Sequence, residues 1–180
     1  MKLLKWLRIE ASAGQAMVVV FYSLLLVSLV DFTTRLVITS LHITLTDQNL
    51  ARNAQWASSY PHSAFGFAAL LAALVYYALE EEVLFRFAPL TLVTRFWPMP
   101  TAVIVTSILS SAVFGYLHGG AIYIWLRGVA GLVYCGVFLK CGGWNRGWNR
   151  PFKALFFSTL AHFVHNALVA TPIFWGWRTI

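Results

Sequence analysis

Apolar runs about as long as a bilayer is thick recur five times along this chain, and that recurrence restricts its fold more than any single residue does. The runs span about Ala16 to Val30, Ala64 to Val93, Thr101 to Leu117, Ala121 to Leu139 and Phe152 to Thr171. The first can continue helically past Asp31 and Arg35 to Leu45, because those two charges stand four residues apart and can pair on one helix face. A membrane-crossing helix needs ~20 predominantly apolar residues. A chain of 180 residues therefore has room for about five to six such helices in one transmembrane domain, residues 1–180. No segment shows the period-two alternation of strands, and lipid requires the backbone to satisfy its own hydrogen bonds. The expected fold is all-α, a polytopic membrane helix bundle.

Composition agrees where it bears on solvent. Only 11% of the residues are charged and 59% are hydrophobic, against roughly a quarter charged in an ordinary soluble domain. Lipid, not water, must cover much of the surface. The net charge of +7 does not form a nucleic-acid stripe. Lys2, Lys5 and Arg8 precede the first run, and Lys140, Arg146, Arg150 and Lys153 separate the last two, the placement that sets membrane orientation. Placing the N-terminus inside puts the Arg95 turn and the Lys140–Lys153 loop inside as well. The tryptophans near segment ends are expected at headgroup level. No small-residue cleavage site ends the first run, which is expected to stay as an anchor. Cys135 and Cys141 read as small helix residues rather than a disulfide framework.

Glu80, Glu81 and Glu82 stand consecutively inside the second run. An acidic side chain at mid-membrane costs on the order of 2.5–3.5 kcal/mol even on lenient scales, so three cannot face lipid. Arg86 lies four residues after Glu82, on the same face; Glu81 is rotated about 100° away. This suggests Glu82 neutralised by Arg86 and Glu81 free to titrate. His118 closes the third run one turn above Phe114. In the fifth, His162 and Asn166 share a face, while His165 points elsewhere. Three helices thus each offer polar groups inward. The same groups could form an ion-pair cluster that only fixes packing, or the triplet could mark a helix end at the membrane surface.

Together these residues resemble the CAAX protease and bacteriocin-processing family, also called the Abi family of glutamic intramembrane proteases. Glu81-Glu82-Val83-Leu84-Phe85-Arg86 is similar to its EExxxR motif, Phe114-Gly115-Tyr116-Leu117-His118 to FxxxH, and His162-Phe163-Val164-His165-Asn166 to HxxxN. The three occur in order, each in its own apolar run, across a core of about residues 65–168. Glu80 is extra to the motif, and Phe87 stands where a glycine often follows the arginine. The resemblance implies an intramembrane endopeptidase acting on a membrane-associated protein or peptide through glutamate-activated water, with no cofactor and no metal. Glu81 would be the base and His118 its partner on the water. His162 and Asn166 would stabilise the oxyanion, with Glu82, Arg86 and Phe114 in support.

The rival readings are a zinc site, for which HExxH is absent, and a serine mechanism through Ser110 or Ser111, for which no nucleophile elbow is present. A non-catalytic membrane immunity or scaffold protein is the alternative outside enzymology. A transporter would be expected to show an internal repeat. The compact size points to a prokaryotic cytoplasmic membrane. One geometric demand follows from the helix directions. If the second run descends from Ala64 and the third rises from Thr101, Glu81 and His118 could fall at different depths. They can meet only if the second helix begins lower than Ala64 and extends to about Arg95, or if the third is short and steeply tilted.

Overall fold

The computed structural model describes residues 2–40, 55–145, 147 and 149–177. All regular elements among them are helical. A short helix α1 (Lys2–Arg8) leads into α2 (Ala13–Ser40). Helix α3 (Ala64–Glu82) passes through a π-helical turn, Val83–Phe87, into α4 (Ala88–Phe96). Then come α5 (Pro100–Leu117), α6 (Ala121–Phe138), a second π-helical turn at Leu139–Gly143, and α7 (Arg150–Phe174). The five apolar runs are therefore five long helices. Four of these are long and apolar enough to cross a membrane by length and composition, and the other, α3, carries the glutamates. The part of the first run beyond Ser40 lies outside the described residues.

Local chemistry accounts for the boundaries. Ser63 caps α3 by accepting from the Gly66 N–H at 3.1 Å, as N-cap serines do. Pro100 and Pro151 stand in the first turns of α5 and α7, where a missing N–H costs no helical bond. The α5–α6 reversal runs through Gly119 and Gly120, and Gly120 has φ +91°, a conformation that favours glycine. The π turn between α3 and α4 also has a local cause. Pro89 cannot donate to the Phe85 carbonyl four residues earlier, and its ring crowds that carbonyl. The Ser110 hydroxyl of α5 donates to the Phe85 oxygen instead.

Because α3 and α4 form one continuous helix from Ala64 to Phe96, its length is roughly 50 Å at ~1.5 Å per residue. Counted from the turn at Trp97–Met99, Glu81 and His118 lie at nearly equal chain distance on the antiparallel pair. The extension alone meets the depth requirement: the second helix runs one residue past Arg95, but it starts at Ala64 and not lower.

Packing is closest between α5 and α6. A Cβ at Gly115 would lie 2.5 Å from the Tyr123 carbonyl oxygen, and one at Gly128 3.0 Å from that of Ser111. One apolar cluster joins Val20 and Val27 of α2 to Leu90, Val103, Phe138 and Phe157. A second joins Ala57, Leu70 and Leu74 to Ala170 and Phe174. Along both α3–α4 and α7, the glutamates and His162 fall between these clusters. Large apolar side chains remain exposed on the outer faces, including Phe21, Leu25, Leu29 and Phe32 on α2, as a lipid-facing surface requires.

The basic connections gather at one end, but their cations are not all solvated. Lys140 Nζ donates to the carbonyls of Trp6 (2.8 Å) and Ile9 (2.6 Å) and lies 4.3 Å over the Trp6 ring. Glu10 accepts from Asn145 Nδ2 at 2.8 Å, Arg150 Nη1 at 2.5 Å and Lys153 Nζ at 2.7 Å. Burial would raise the Glu10 carboxyl, yet these hydrogen bonds outweigh it and hold it below the ordinary carboxylate range. Thr94 of α4 donates to the Gly143 carbonyl at 3.2 Å, bringing the Arg95 end to the same side. Trp144 is 9% exposed under the Arg8 guanidinium, so its ring is covered by protein. Cys141 is buried within the second π turn, and both cysteines are free.

Candidate active site

The last turn of α3 sorts the three glutamates by direction. Glu80 is exposed, Glu81 half-buried and Glu82 fully buried. Glu82 Oε1 stands 3.3 Å from Arg86 Nη1, and both side chains are inaccessible to solvent. The Arg86 guanidinium also lies over the Phe114 ring at 4.3 Å and near that of Tyr134 at 5.5 Å. A buried charge needs such partners, because leaving one unpaired in low dielectric is costly.

Both histidines of the motifs converge on Glu81. Its Oε1 is 3.4 Å from His118 Nε2, and its Oε2 is 3.3 Å from His162 Nε2. Glu81 is therefore not an isolated titrating group but is held between two imidazoles. His118 Nδ1 lies 2.7 Å from the Phe114 carbonyl oxygen, which can only accept, so Nδ1 carries the proton and Nε2 meets the glutamate. His162 bridges the two acids: its Nδ1 is 3.0 Å from Glu82 Oε1. The site has an exposed and a buried side, since the side chains of Glu81 and His118 are 28% and 31% accessible while that of His162 is only 4%.

The remaining expected residues are placed as follows. Phe114 packs against His118 at 4.3 Å between ring centroids and meets His162 edge-on at 5.8 Å. Asn166 lies one turn beyond His162, half-buried, and its carboxamide has no protein partner among the described residues. His165 turns to α2, where its Nε2 is 3.3 Å from Asp31 Oδ2. Asp31 also stands 3.8 Å from Arg127 of α6, so it ties α2 to two other helices; the side chain of Arg35 lies outside the described residues. Ser110 is engaged with Phe85, and Ser111 contacts Cys135 Sγ at 3.5 Å, which leaves neither placed as a nucleophile beside His118. Among the described residues, no group of three or more histidine, cysteine, aspartate or glutamate side chains is arranged to hold a metal ion.

Two contributors on α6 carry no sequence motif. Tyr134 is 1% exposed and stacks on His162 with centroids 4.7 Å apart and planes 21° from parallel. Gly131, one turn earlier, makes room for Arg86: a Cβ there would be 3.0 Å from Arg86 Nη2 and 3.2 Å from Phe114 Cδ1. The available signals were a tyrosine inside an apolar run and a glycine one turn before it.

A family model described as type II CAAX prenyl endopeptidase, Rce1-like, matches residues 62–168, more than half of the chain and the segment that carries all of these side chains except Asp31. Comparison with curated proteins and with solved structures returns no significant match.

Proposed function

The chain belongs to the Rce1-like family of type II CAAX prenyl endopeptidases, and from that premise we propose that it hydrolyses a peptide bond of a membrane-associated protein or peptide with water activated by Glu81, without a metal. The observation that carries this reading is the Glu81 carboxylate held at 3.4 and 3.3 Å between His118 and His162. These separations are longer than a strong direct hydrogen bond. A water seated at the apex of Glu81 and His118 can bond to both.

In the proposed reaction, Glu81 takes a proton from that water and His118 Nε2 orients it. The water oxygen bonds to the scissile carbonyl carbon, whose oxygen becomes an oxyanion. The carbon–nitrogen bond then breaks, and the proton passes from Glu81 to the leaving nitrogen, giving a carboxylic acid and an amine and restoring the Glu81 carboxylate. Asn166 is one proposed donor to the oxyanion, and His162 Nε2–H is the other, its hold on Glu81 loosening as that carboxylate takes the water's proton. The carboxamide of Asn166, half-buried and without a partner among the described residues, supports its part. Its loss should lower the rate by ~10²–10³.

The placement of His162 supports its role: its Nδ1 is 3.0 Å from Glu82 Oε1 and its Nε2 3.3 Å from Glu81 Oε2, so one buried ring spans the two acids. Glu82 and Arg86 brace the cluster from behind, and Phe114 holds His118 through its carbonyl and ring. The whole of 1–180 acts as one membrane domain in this reading, oriented with its basic end inside, in a prokaryotic cytoplasmic membrane.

The test is cleavage of a farnesylated C-terminal CAAX peptide and of membrane peptide extracts by the protein in proteoliposomes, followed by mass spectrometry. Glu81→Gln should lower product formation by ~10²–10⁴-fold with membrane insertion intact, and chelators should leave the wild-type rate unchanged. Undiminished cleavage by Glu81→Gln would sink the assignment. Peptide binding without any product would favour a scaffold or immunity role.

A further inference from the structure

A second feature lies on a different face of the bundle. A groove of about 440 Å³ runs between α2 and α5, with α6 as its floor; small-molecule sites typically occupy ~300–1,000 Å³. Tyr22 and Leu26 form one wall, Ile104 and Ile108 the other, and Gly136 lies on the floor. The serines that border it do not make it polar. Ser23 Oγ donates to the Val20 carbonyl at 2.7 Å and Ser107 Oγ to that of Val103 at 2.9 Å, each on its own helix.

Helix α1 closes one end of the groove with Leu3 and Trp6. Lys5 and Arg8 of the same helix are exposed, and the Arg8 guanidinium stands 5.1 Å over the ring of Trp144, which also lines the groove. An apolar slot on the surface of a membrane protein, with cations at one end, has the complement of an anionic phospholipid. We propose that the groove holds one acyl chain of an anionic phospholipid from the inner leaflet, with the phosphate at Lys5 and Arg8. Cations close to the membrane surface attract anionic headgroups, and Trp6 marks headgroup depth.

The occupant is a bilayer lipid rather than the lipid of a substrate. The groove takes no residue from α3, α4 or α7, the helices that bring Glu81 and His162 to the catalytic cluster. Between groove and cluster stand α5 and α6, in backbone contact at Gly115 and Gly128. A chain attached near a scissile bond at Glu81 could not also thread this slot. The proposal does not depend on the catalytic reading.

Native mass spectrometry of the full chain, released from nanodiscs of equimolar dioleoyl phosphatidylglycerol and phosphatidylcholine, tests it. The wild type should retain a single phospholipid, with phosphatidylglycerol favoured several-fold. A Cβ at Gly136 meets nothing within 4 Å, so Gly136→Leu should fold normally, fill the slot and lower retention by about tenfold. Ile108→Trp, on the opposite wall, gives the same readout should Gly136→Leu disturb folding. Lys5→Gln with Arg8→Gln should keep the lipid and lose the headgroup preference. Equal retention by wild type and both filling variants, no retained lipid, no headgroup preference in the wild type, or displacement of the lipid by a farnesylated peptide would each overturn the proposal.

Discussion

His162 Nδ1 and Glu82 Oε1 meet at 3.0 Å in a place where the glutamate has no solvent accessibility and the histidine almost none. The same oxygen faces Arg86 at 3.3 Å. One carboxylate oxygen therefore holds both the imidazole that reaches Glu81 and the guanidinium behind it.

Removing that carboxylate should damage stability and chemistry together. Glu82→Gln leaves Arg86 buried without its counter-charge, a loss of about 3–5 kcal/mol when one member of a buried pair is deleted. Glu82→Leu combined with Arg86→Met should recover much of the stability in detergent melts while cleavage stays absent. Recovery of cleavage in the double variant would show that Glu82 is only a packing element.

His118 should behave in the opposite way. Its side chain is 31% accessible and its Nδ1 bond is to the carbonyl of its own helix, so His118→Ala should change stability by no more than about 0.5 kcal/mol, as surface substitutions do. Its proposed hold on the water predicts a kcat lower by ~10²–10⁴-fold. Parallel melting and turnover measurements check this.

Tyr134 should separate its ring from its hydroxyl. The ring stacks on His162, whereas the buried hydroxyl has no hydrogen-bond partner among the described residues. Tyr134→Phe should therefore retain near-full turnover. Tyr134→Leu should lower kcat by roughly tenfold, an energy of about 1.4 kcal/mol that is close to the ~0.5–1.5 kcal/mol of an aromatic pair. KM should stay unchanged.

The glycines of α5 and α6 should rank by what an added methyl meets. At Gly115 it meets backbone at 2.5 Å, at Gly131 the Arg86 side chain at 3.0 Å, and at Gly136 nothing within 4 Å. Gly115→Ala should be the most destabilising, at or above the ~1–3 kcal/mol typical of overpacking. Gly131→Ala should fall below it, and Gly136→Ala should be close to neutral in the same thermal series.

Acid should release the N-terminal helix before it unfolds the bundle. The Glu10 carboxyl is held below its ordinary value by Lys153, Asn145 and Arg150 despite partial burial. Its contribution is therefore complete above the ordinary carboxylate range and is lost as pH falls through the lowered value. Hydrogen exchange of residues 2–11 should rise across that acid window in the wild type. In Glu10→Gln it should be high already at neutral pH and nearly flat.

What could be read from the chain beforehand was what helix periodicity encodes. Glu82 with Arg86, and Phe114 with His118, are i,i+4 neighbours, and their spacing alone places each pair on one face. The cross-helix partners were not encoded in that way. Asp31 suggested Arg35 at the next turn, a side chain outside the described residues, whereas the partners the fold places beside Asp31 include Arg127 and His165 from two distant segments. Tyr134 and Gly131 carry no local signature because their roles arise only when α6 meets α7 and α3–α4. Lys140 and Lys153 read as headgroup charges, yet the fold directs them to backbone carbonyls and Glu10 near the N-terminus. The depth of Glu81 is not encoded in where its apolar run begins, because its height relative to His118 is set from the turn that joins the two helices.

The widened turn at Val83–Phe87 gives backbone length a part in the chemistry. Winding the same residues as an ordinary α-helix, with none deleted, would rotate the glutamates by roughly 100° relative to α4. Glu81 would then face away from both histidines while α4 and its turn stayed in place. A designer who transplanted the glutamates, histidines and arginine onto an ideal helix would copy every letter of the site and lose its alignment. In this bundle, the count of residues between the acids and Pro89 is as much a specification as the acids themselves.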